Sequence, residues 1–437
     1  MEQLTIRGGA RGPQGSMTVP GDKSISHRAI ILGALAEGVT EVSGCLRSED
    51  CQRTLGAFRA LGVEAEGWEG DILRIYGKGL RGLREAADTL NCGNSGTTIR
   101  LLAGVLAGQP FLSLLTGDAS LRRRPMDRII HPLTQMGAEI WGRARDTLPP
   151  LAVRGGSLHG VTYRCPVPSA QVKSAILLAG LFAEGPTTVI EPAASRDHTE
   201  RMLTAYGQRV ERSEQEVTLI PAGTLQATPI SVPGDFSSAA FLLVAGLILP
   251  DSDLTIEGVG VNPTRTGLLD VLQAMGAKVQ VFPVDAETGE PRAHLRVRAS
   301  RLQGVSIGGD LIPRLIDEIP VLAVAAACAE GKTVIRDAAE LRVKESDRIR
   351  TIAAELSRMG VRTEELPDGL IIHGGRRLQG ARCEGHGDHR VAMALTVAGL
   401  QAEGQTIVRD TACIRTSFPG FVETLEHLFP NVLERRG

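Results

Sequence analysis

The chain has 437 residues, a formal net charge of −2, and 48 Lys and Arg against 50 Asp and Glu. Near-neutrality leaves no nucleic-acid footprint, and 3% aromatics offers no base-stacking platform. The length exceeds one ordinary core, so two domains are expected.

The first residues carry Arg7 and Arg11 but no apolar segment, and they do not read as a signal peptide. The longest apolar runs, Phe241–Leu249 and Ile319–Ala329, are too short to span a membrane. A cytoplasmic chain with no membrane or nucleic-acid partner is expected. The 7 cysteines form no CxxC pair and are read as reduced thiols. His386 and His389 flank Asp388, but that spacing is weak, and neither metal nor cofactor is expected.

Taken in order, the chain repeats one plan six times: a polar or glycine tip, an apolar helix, a turn usually ending in Gly, then a strand. The first copy is Gly21–Gly38 with the strand Val39–Val42. The second opens at Cys92-Gly93-Asn94-Ser95-Gly96 and runs to the strand Phe111–Leu115. The third opens at Pro168-Ser169-Ala170-Gln171, with a helix to Gly185 and the strand Thr187–Ile190. The fourth opens at Pro233-Gly234-Asp235, with a helix to Leu249. The fifth opens near Asp317-Glu318-Ile319-Pro320 and runs to Gly331. The sixth opens at Gly387-Asp388-His389-Arg390 and runs to Gly404. Second helices follow at Thr54–Leu61, Arg128–Met136, Thr199–Tyr206, Leu268–Met275 and Ile349–Met359, each with a Gly after it, and at Phe421–Leu428. Each copy therefore reads β-α-β-α-β-β.

The fold class is α/β, with two similar domains of three such units each. The first covers 20–232 and the second covers 233–437, with 1–19 as well if the chain crosses the hinge twice. Hinges are expected near 20 and at 229–234, where Pro229 and Pro233 punctuate. Leu4-Thr5-Ile6 reads as a strand able to pack with either half.

The tips concentrate cations and hydroxyls at helix N-termini, where free N–H groups and the dipole suit anions. They supply Lys23, Ser24 and Arg28; Asn94, Gly96, Thr97 and Arg100; Arg122–Arg128; Ser169, Gln171 and Lys173, then Arg196. The later copies supply Asp317, Glu318 and Lys344–Arg348, then Asp388, His389, Arg390 and Arg415. So many cations in a near-neutral chain imply small polyanionic ligands. Structural readings stand beside these. Lys344–Arg348 on a helix would make ordinary i,i+4 pairs. Asp317 reads equally as an N-cap. His27 reads as packing or capping, and Cys92 as a small apolar filler. No Walker loop is present, and no dinucleotide fingerprint opens a helix.

Six stretches together carry a resemblance. They are Gly21-Asp22-Lys23-Ser24-Ile25-Ser26-His27-Arg28, Gly93–Arg100, Arg124-Pro125-Met126-Asp127-Arg128, Pro168–Ala175, Arg342–Arg348 and Asp388–Met393. In this order the chain resembles the 3-phosphoshikimate 1-carboxyvinyltransferase (EPSP synthase) family over nearly its whole length. The resemblance implies an enolpyruvyl transferase-like fold, an inside-out α/β barrel in each domain, with the N-terminal strand in the second domain. It implies transfer of the enolpyruvyl group of phosphoenolpyruvate to the 5-hydroxyl of shikimate 3-phosphate, with loss of phosphate, on the way to chorismate. Lys23, Ser24, Arg28, Ser169, Gln171, Arg196, Asp317 and Lys344 would bind shikimate 3-phosphate. Lys23, Gly96, Arg124, Gln171, Arg348, Arg390 and Arg415 would bind phosphoenolpyruvate. Asp317, Glu345 and Lys23 would be the acid/base groups, Asp317 taking the hydroxyl proton and Glu345 or Lys23 supplying the methylene. A monomer is expected.

Arg196–Glu200, Ser169–Lys173 and Asn262–Arg265 resemble the less glyphosate-sensitive class, and Leu101 replaces a proline common in sensitive forms. Gly96 is retained where a tolerant variant has alanine, so intermediate tolerance is expected. The alternatives are an enolpyruvyl transferase acting on UDP-N-acetylglucosamine, or a non-catalytic anion-binding scaffold. The first usually has Lys-Asn at the first tip and a reactive loop cysteine. This chain has Lys23-Ser24 and no cysteine in Arg122–Arg128.

Overall fold

A computed structural model describes residues 2–284 and 289–436. They divide into two compact units. One holds the described residues up to Pro20, those from Pro233 to Val284 and those from Pro291 onward; the other holds Gly21–Val232 with Gly289 and Glu290. The grouping of Gly289 and Glu290 with Gly21–Val232 has no signal in the sequence. Each unit has its own apolar core.

The cores are built from six apolar helices: α1 (Lys23–Leu35), α2 (Gly96–Ala107), α3 (Ala170–Gly180), α4 (Phe236–Ile248), α5 (Ile319–Cys328) and α6 (His389–Gln401). Helices that are apolar all round belong inside a core, and every residue from Ile25 to Leu35 of α1 is buried. The second helix of each copy is amphipathic instead. Asp127–Gln135 buries Ile129, Ile130, Pro132 and Leu133 and turns its polar face outward.

Six sheets of four or five strands wrap these helices. The second copy shows the plan. Leu90–Asn91 runs parallel to Leu112–Thr116 across α2, in register Leu90 with Leu115. Leu148–Arg154 then pairs antiparallel with Leu112–Thr116, and Glu139–Gly142 pairs antiparallel outside it. This is βαβαββ, as expected.

Two closing strands come from unexpected places in the chain. Gln14–Thr18, just before the first tip, pairs parallel with Asp253–Gly260 of the fourth copy. Ile230–Ser231, just before the fourth tip, pairs parallel with Ala36–Ser43 of the first. Gln3–Arg7 completes the sixth sheet between Gln405–Arg409 and Leu433–Arg436. The N-terminal segment thus belongs to the unit that holds the last three copies.

A sharper repeat accompanies the helix-to-strand turn. Ala-Glu-Gly-x-Thr recurs at Ala36–Thr40, Ala183–Thr187, Ala329–Thr333 and Ala402–Thr406. Its glycines Gly38, Gly185, Gly331 and Gly404 have φ of +103°, +88°, +88° and +88°, a region open to glycine and costly for other residues. Its threonines are fully buried. In three copies a helix glycine seven positions earlier lies against that threonine. A Cβ added at Gly33, Gly180 or Gly399 would sit 3.1, 3.0 or 3.1 Å from the Cβ of Thr40, Thr187 or Thr406. The first strand therefore begins at Ala36 rather than at Val39.

Candidate active site

In the unit of Gly21–Val232 the N-terminal turns of α1, α2 and α3 meet. Each is closed by a short polar cap. Asp22 accepts from the N–H of Ile25 at 2.9 Å, Ser95 from that of Thr98 at 3.1 Å, and Ser169 from that of Val172 at 3.4 Å. Hydrogen bonds then tie the turns together. Arg100 of α2 donates to Gln171 Oε1 of α3 at 2.5 Å, and Gln171 Nε2 donates to Thr97 Oγ1 at 3.0 Å. A buried chain runs from His27 Nδ1 to Thr54 Oγ1 at 2.7 Å, on to Thr98 Oγ1 at 2.7 Å, and to Ser95 Oγ at 2.7 Å. Burial first, then Lys23 and Arg28, hold the His27 pKa well below the usual histidine value. Its Nδ1 is taken up by Thr54 within this buried chain.

Arg28 crosses this floor. Its Nε donates to Thr199 Oγ1 at 2.6 Å, its Nη2 to Ser174 Oγ at 2.6 Å and its Nη1 to Ser24 O at 2.9 Å. Burial lowers its pKa to about 10, with Glu200 and Asp22 opposing and Arg196 adding to the fall. Lys23 Nζ lies 3.0 Å from Asp50 Oδ2. Asp50 was not singled out in the sequence; the helix Glu49–Ala60 starts earlier than expected, capped by Ser48, and so carries Asp50 to the tip.

Over the start of α2, Arg124 donates to Asn94 Oδ1 at 2.5 Å and Asn94 donates to Asp118. A Cβ at Gly96 would stand 3.1 Å from a guanidinium nitrogen of both Arg100 and Arg124. Two guanidiniums above a helix N-terminus suit an anion, and a Cβ here would crowd both of them. Lys173, read from sequence as a tip cation, is instead buried between Glu191 and Glu200, at 2.8 Å from each. Its carboxylate neighbours outweigh burial and raise its pKa. It holds the floor together.

The other unit gathers the starts of α4, α5 and α6. Arg348, with a side chain only 1% exposed, is the hub. It donates to Asp388 at 2.8 and 3.2 Å, to Glu345 Oε2 at 2.6 Å and to Asp317 Oδ1 at 3.4 Å. Burial disfavours its charge, but Asp388 and Glu345 outweigh that and hold its pKa above the usual arginine value. Asp388 also caps α6 through the N–H of Arg390 at 3.0 Å. Arg390 Nη1 donates to the carbonyl of Asp317 at 3.2 Å, and its Nη2 lies 3.9 Å from Asp317 Oδ2.

Two readings of this stretch change. Lys344–Arg348 is not a helix with i,i+4 pairs: Lys344 is extended, Asp347 caps, and the helix begins at Arg348. The N-cap position of α5 is Glu318, so Asp317 stands outside the helix with its carboxylate turned to arginines. Lys344 is half-buried; desolvation lowers its pKa, with Asp317 opposing and Arg348 adding. Arg415 pairs with Glu2 at 2.8 Å on an exposed turn. Among the described residues no group of three or more His, Cys, Asp or Glu is placed to hold a metal ion.

This geometry can bind anionic groups at helix starts and hold two carboxylates, Asp317 and Glu345, on one guanidinium. The family model for EPSP synthase (3-phosphoshikimate 1-carboxyvinyltransferase) matches residues 10–425. The chain is 59% identical over 419 residues to a 3-phosphoshikimate 1-carboxyvinyltransferase of Desulforudis audaxviator (strain MP104C), covering 96% of this chain and 98% of the relative. The solved EPSP synthase of Acinetobacter baumannii superposes with a TM-score of 0.89 at 46% identity, covering 100% of both chains. The enolpyruvyl transferase NikO of Streptomyces tendae has the same fold, with a TM-score of 0.79 at 21% identity over 100% of this chain and 98% of that one.

Proposed function

The chain belongs to the EPSP synthase (3-phosphoshikimate 1-carboxyvinyltransferase) family, and from that premise we propose that it moves the enolpyruvyl group of phosphoenolpyruvate onto the 5-hydroxyl of shikimate 3-phosphate. The observation that carries the acid/base reading is the attachment of Asp317 and Glu345 to the single buried guanidinium of Arg348. In the addition step the hydroxyl oxygen bonds to C2 of phosphoenolpyruvate, and the methylene takes a proton. In the elimination step the C–O bond to phosphate breaks, and the new methyl group returns a proton to form the vinyl ether. One group must accept a proton while another donates, and Arg348 brings two carboxylates together as candidates for those roles. Asp317 takes the hydroxyl proton; Glu345 or Lys23 serves the methylene.

Ser24, Arg28, Ser169, Gln171, Arg196 and Lys344 bind shikimate 3-phosphate in this reading, with Lys23 and Asp317. Gly96, Arg124, Gln171, Arg348 and Arg390 bind phosphoenolpyruvate, again with Lys23. Arg415 joins the second group, exchanging its partner Glu2 for the ligand. The protein needs no cofactor and works as a cytoplasmic monomer; a dimer mass by light scattering would count against that.

The test is phosphate release from phosphoenolpyruvate with shikimate 3-phosphate as acceptor, against UDP-N-acetylglucosamine. Release with the first alone is expected. Release with the second would move the chain to the cell-wall reaction, and release with neither would leave the anion-binding scaffold.

Glyphosate competes with phosphoenolpyruvate in this family, and the reading here is intermediate tolerance. Gly96→Ala sharpens it. The added Cβ must push two anchored guanidiniums by a few tenths of an ångström. The KM for phosphoenolpyruvate is expected to rise about tenfold, equivalent to about 1.4 kcal/mol. Tolerance should rise further, because the bulkier inhibitor meets the same methyl. Inhibition unchanged in Gly96→Ala would refute this account of the seat.

A further inference from the structure

The helix start beside Asp317 holds a carboxylate that the reaction scheme above leaves without a task. Glu318 has no exposed side-chain surface. Its Oε1 accepts from Arg265 Nη1 at 2.8 Å and from Ser237 Oγ at 2.5 Å. Its Oε2 has no hydrogen-bond partner among the described residues. A fully buried carboxylate with half its acceptor capacity unused is costly, and an apolar residue would serve packing better. Arg265 is itself buried, 3% exposed, and also donates to Ser237 and, at 3.4 Å, to Asp235. Asp235 is the cap of α4, so this pair is anchored to a second helix start.

A third group shares the carboxylate. Arg390 Nη1 lies 3.8 Å from Glu318 Oε1, and the same nitrogen donates to the carbonyl of Asp317 at 3.2 Å. One guanidinium corner therefore sits between the backbone of the proposed base and the buried anion. Glu318 is pulled toward Arg265 by the shorter contact and toward Arg390 by the longer one.

We propose that Glu318 is a positioning residue, and that the Arg265–Glu318 pair sets how strongly Arg390 is available to the carboxylate or phosphate of phosphoenolpyruvate while fixing where Asp317 stands. This rests on the reading of Arg390 as an anchor for that substrate. The pair acts as a balance: removing either partner shifts Arg390 in opposite directions. Glu318→Gln keeps acceptor and size but removes the charge, so Arg390 binds anions more strongly and holds Asp317 less well. Arg265→Gln leaves Glu318 to turn wholly to Arg390, which then binds anions less well.

The experiment is steady-state phosphate release with shikimate 3-phosphate saturating and phosphoenolpyruvate varied. Glu318→Gln is expected to lower the KM for phosphoenolpyruvate severalfold and to lower kcat about tenfold. Arg265→Gln is expected to raise that KM severalfold. The double variant should return KM toward the native value, and Glu318→Asp should stay near it. A salt bridge with a purely structural role would shift both single variants in one direction, or change thermal melting without moving KM; either result overturns the proposal. Arg390→Gln is the control. If it leaves KM unchanged, the reading of Arg390 as the anchor fails. If it raises KM while the two single variants do not diverge, the anchor stands and the role of Glu318 falls.

Discussion

Arg348→Met should abolish turnover and lower stability together. The native side chain is buried and contacts Asp388, Glu345 and Asp317. Methionine fills similar volume but leaves these carboxylates without their shared cation. Breaking a buried ion pair by removing one partner costs about 3–5 kcal/mol. Asp388 is the most affected, because its carboxylate is wholly buried and also caps α6. The loss of α6 capping would displace Arg390 as well. Thermal melting and phosphate release should fall in the same variant. Arg348→Lys should recover part of the stability and little of the activity, since an ammonium cannot span Asp388 and Glu345 with the fork that a guanidinium provides. A variant that melts like the native protein and turns over normally would remove Arg348 from the site.

The second large effect is expected from Asp317→Asn. Asn keeps the size and the contacts of Asp317 but cannot take a proton. Loss of a positioned general base lowers turnover by about 10²–10⁴-fold. Binding should change far less, so kcat should fall while the KM for shikimate 3-phosphate stays within a few-fold. Glu345→Gln is the companion. Its carboxylate lies 2.6 Å from Arg348, and replacing it should slow the methylene proton transfer while lowering stability less than Arg348→Met does, because the Gln amide oxygen can still accept from Arg348 and Asp388 remains paired with that guanidinium. If both variants kept near-native turnover, the acid/base assignment would be wrong.

Much of the architecture was legible in the sequence because it repeats. Apolar runs such as Ala29–Leu35 have no polar face, and only a buried helix accommodates that. The glycine turns after them must adopt positive φ, and the strand follows at once. Local context hides the rest. Lys344–Arg348 has helical spacing, but Asp347 caps the next turn, so only Arg348 is helical. Lys173 looks like its neighbours Ser169 and Gln171 until Glu191 and Glu200 close on it from distant positions. Asp50 carried no signal, and Arg265 none for its pairing with Glu318, because each becomes meaningful only beside a partner 27 and 53 positions away.

Sequence by itself determined the α/β repeat, the positions of the six buried helices and the residue types at their starts. Hydrophobic periodicity, glycine turns and short polar caps are properties of neighbouring residues, so a linear reading detects them. The tertiary structure alone decided which strands close which sheet, as when Gln14–Thr18 joins the fourth copy and Ile230–Ser231 the first. It alone decided which cations are bound internally and which arginine gathers Asp317, Glu345 and Asp388. Those outcomes depend on charges brought within a few ångströms after burial, where removal of water makes each pairing strong, and sequence distance carries no information about that proximity.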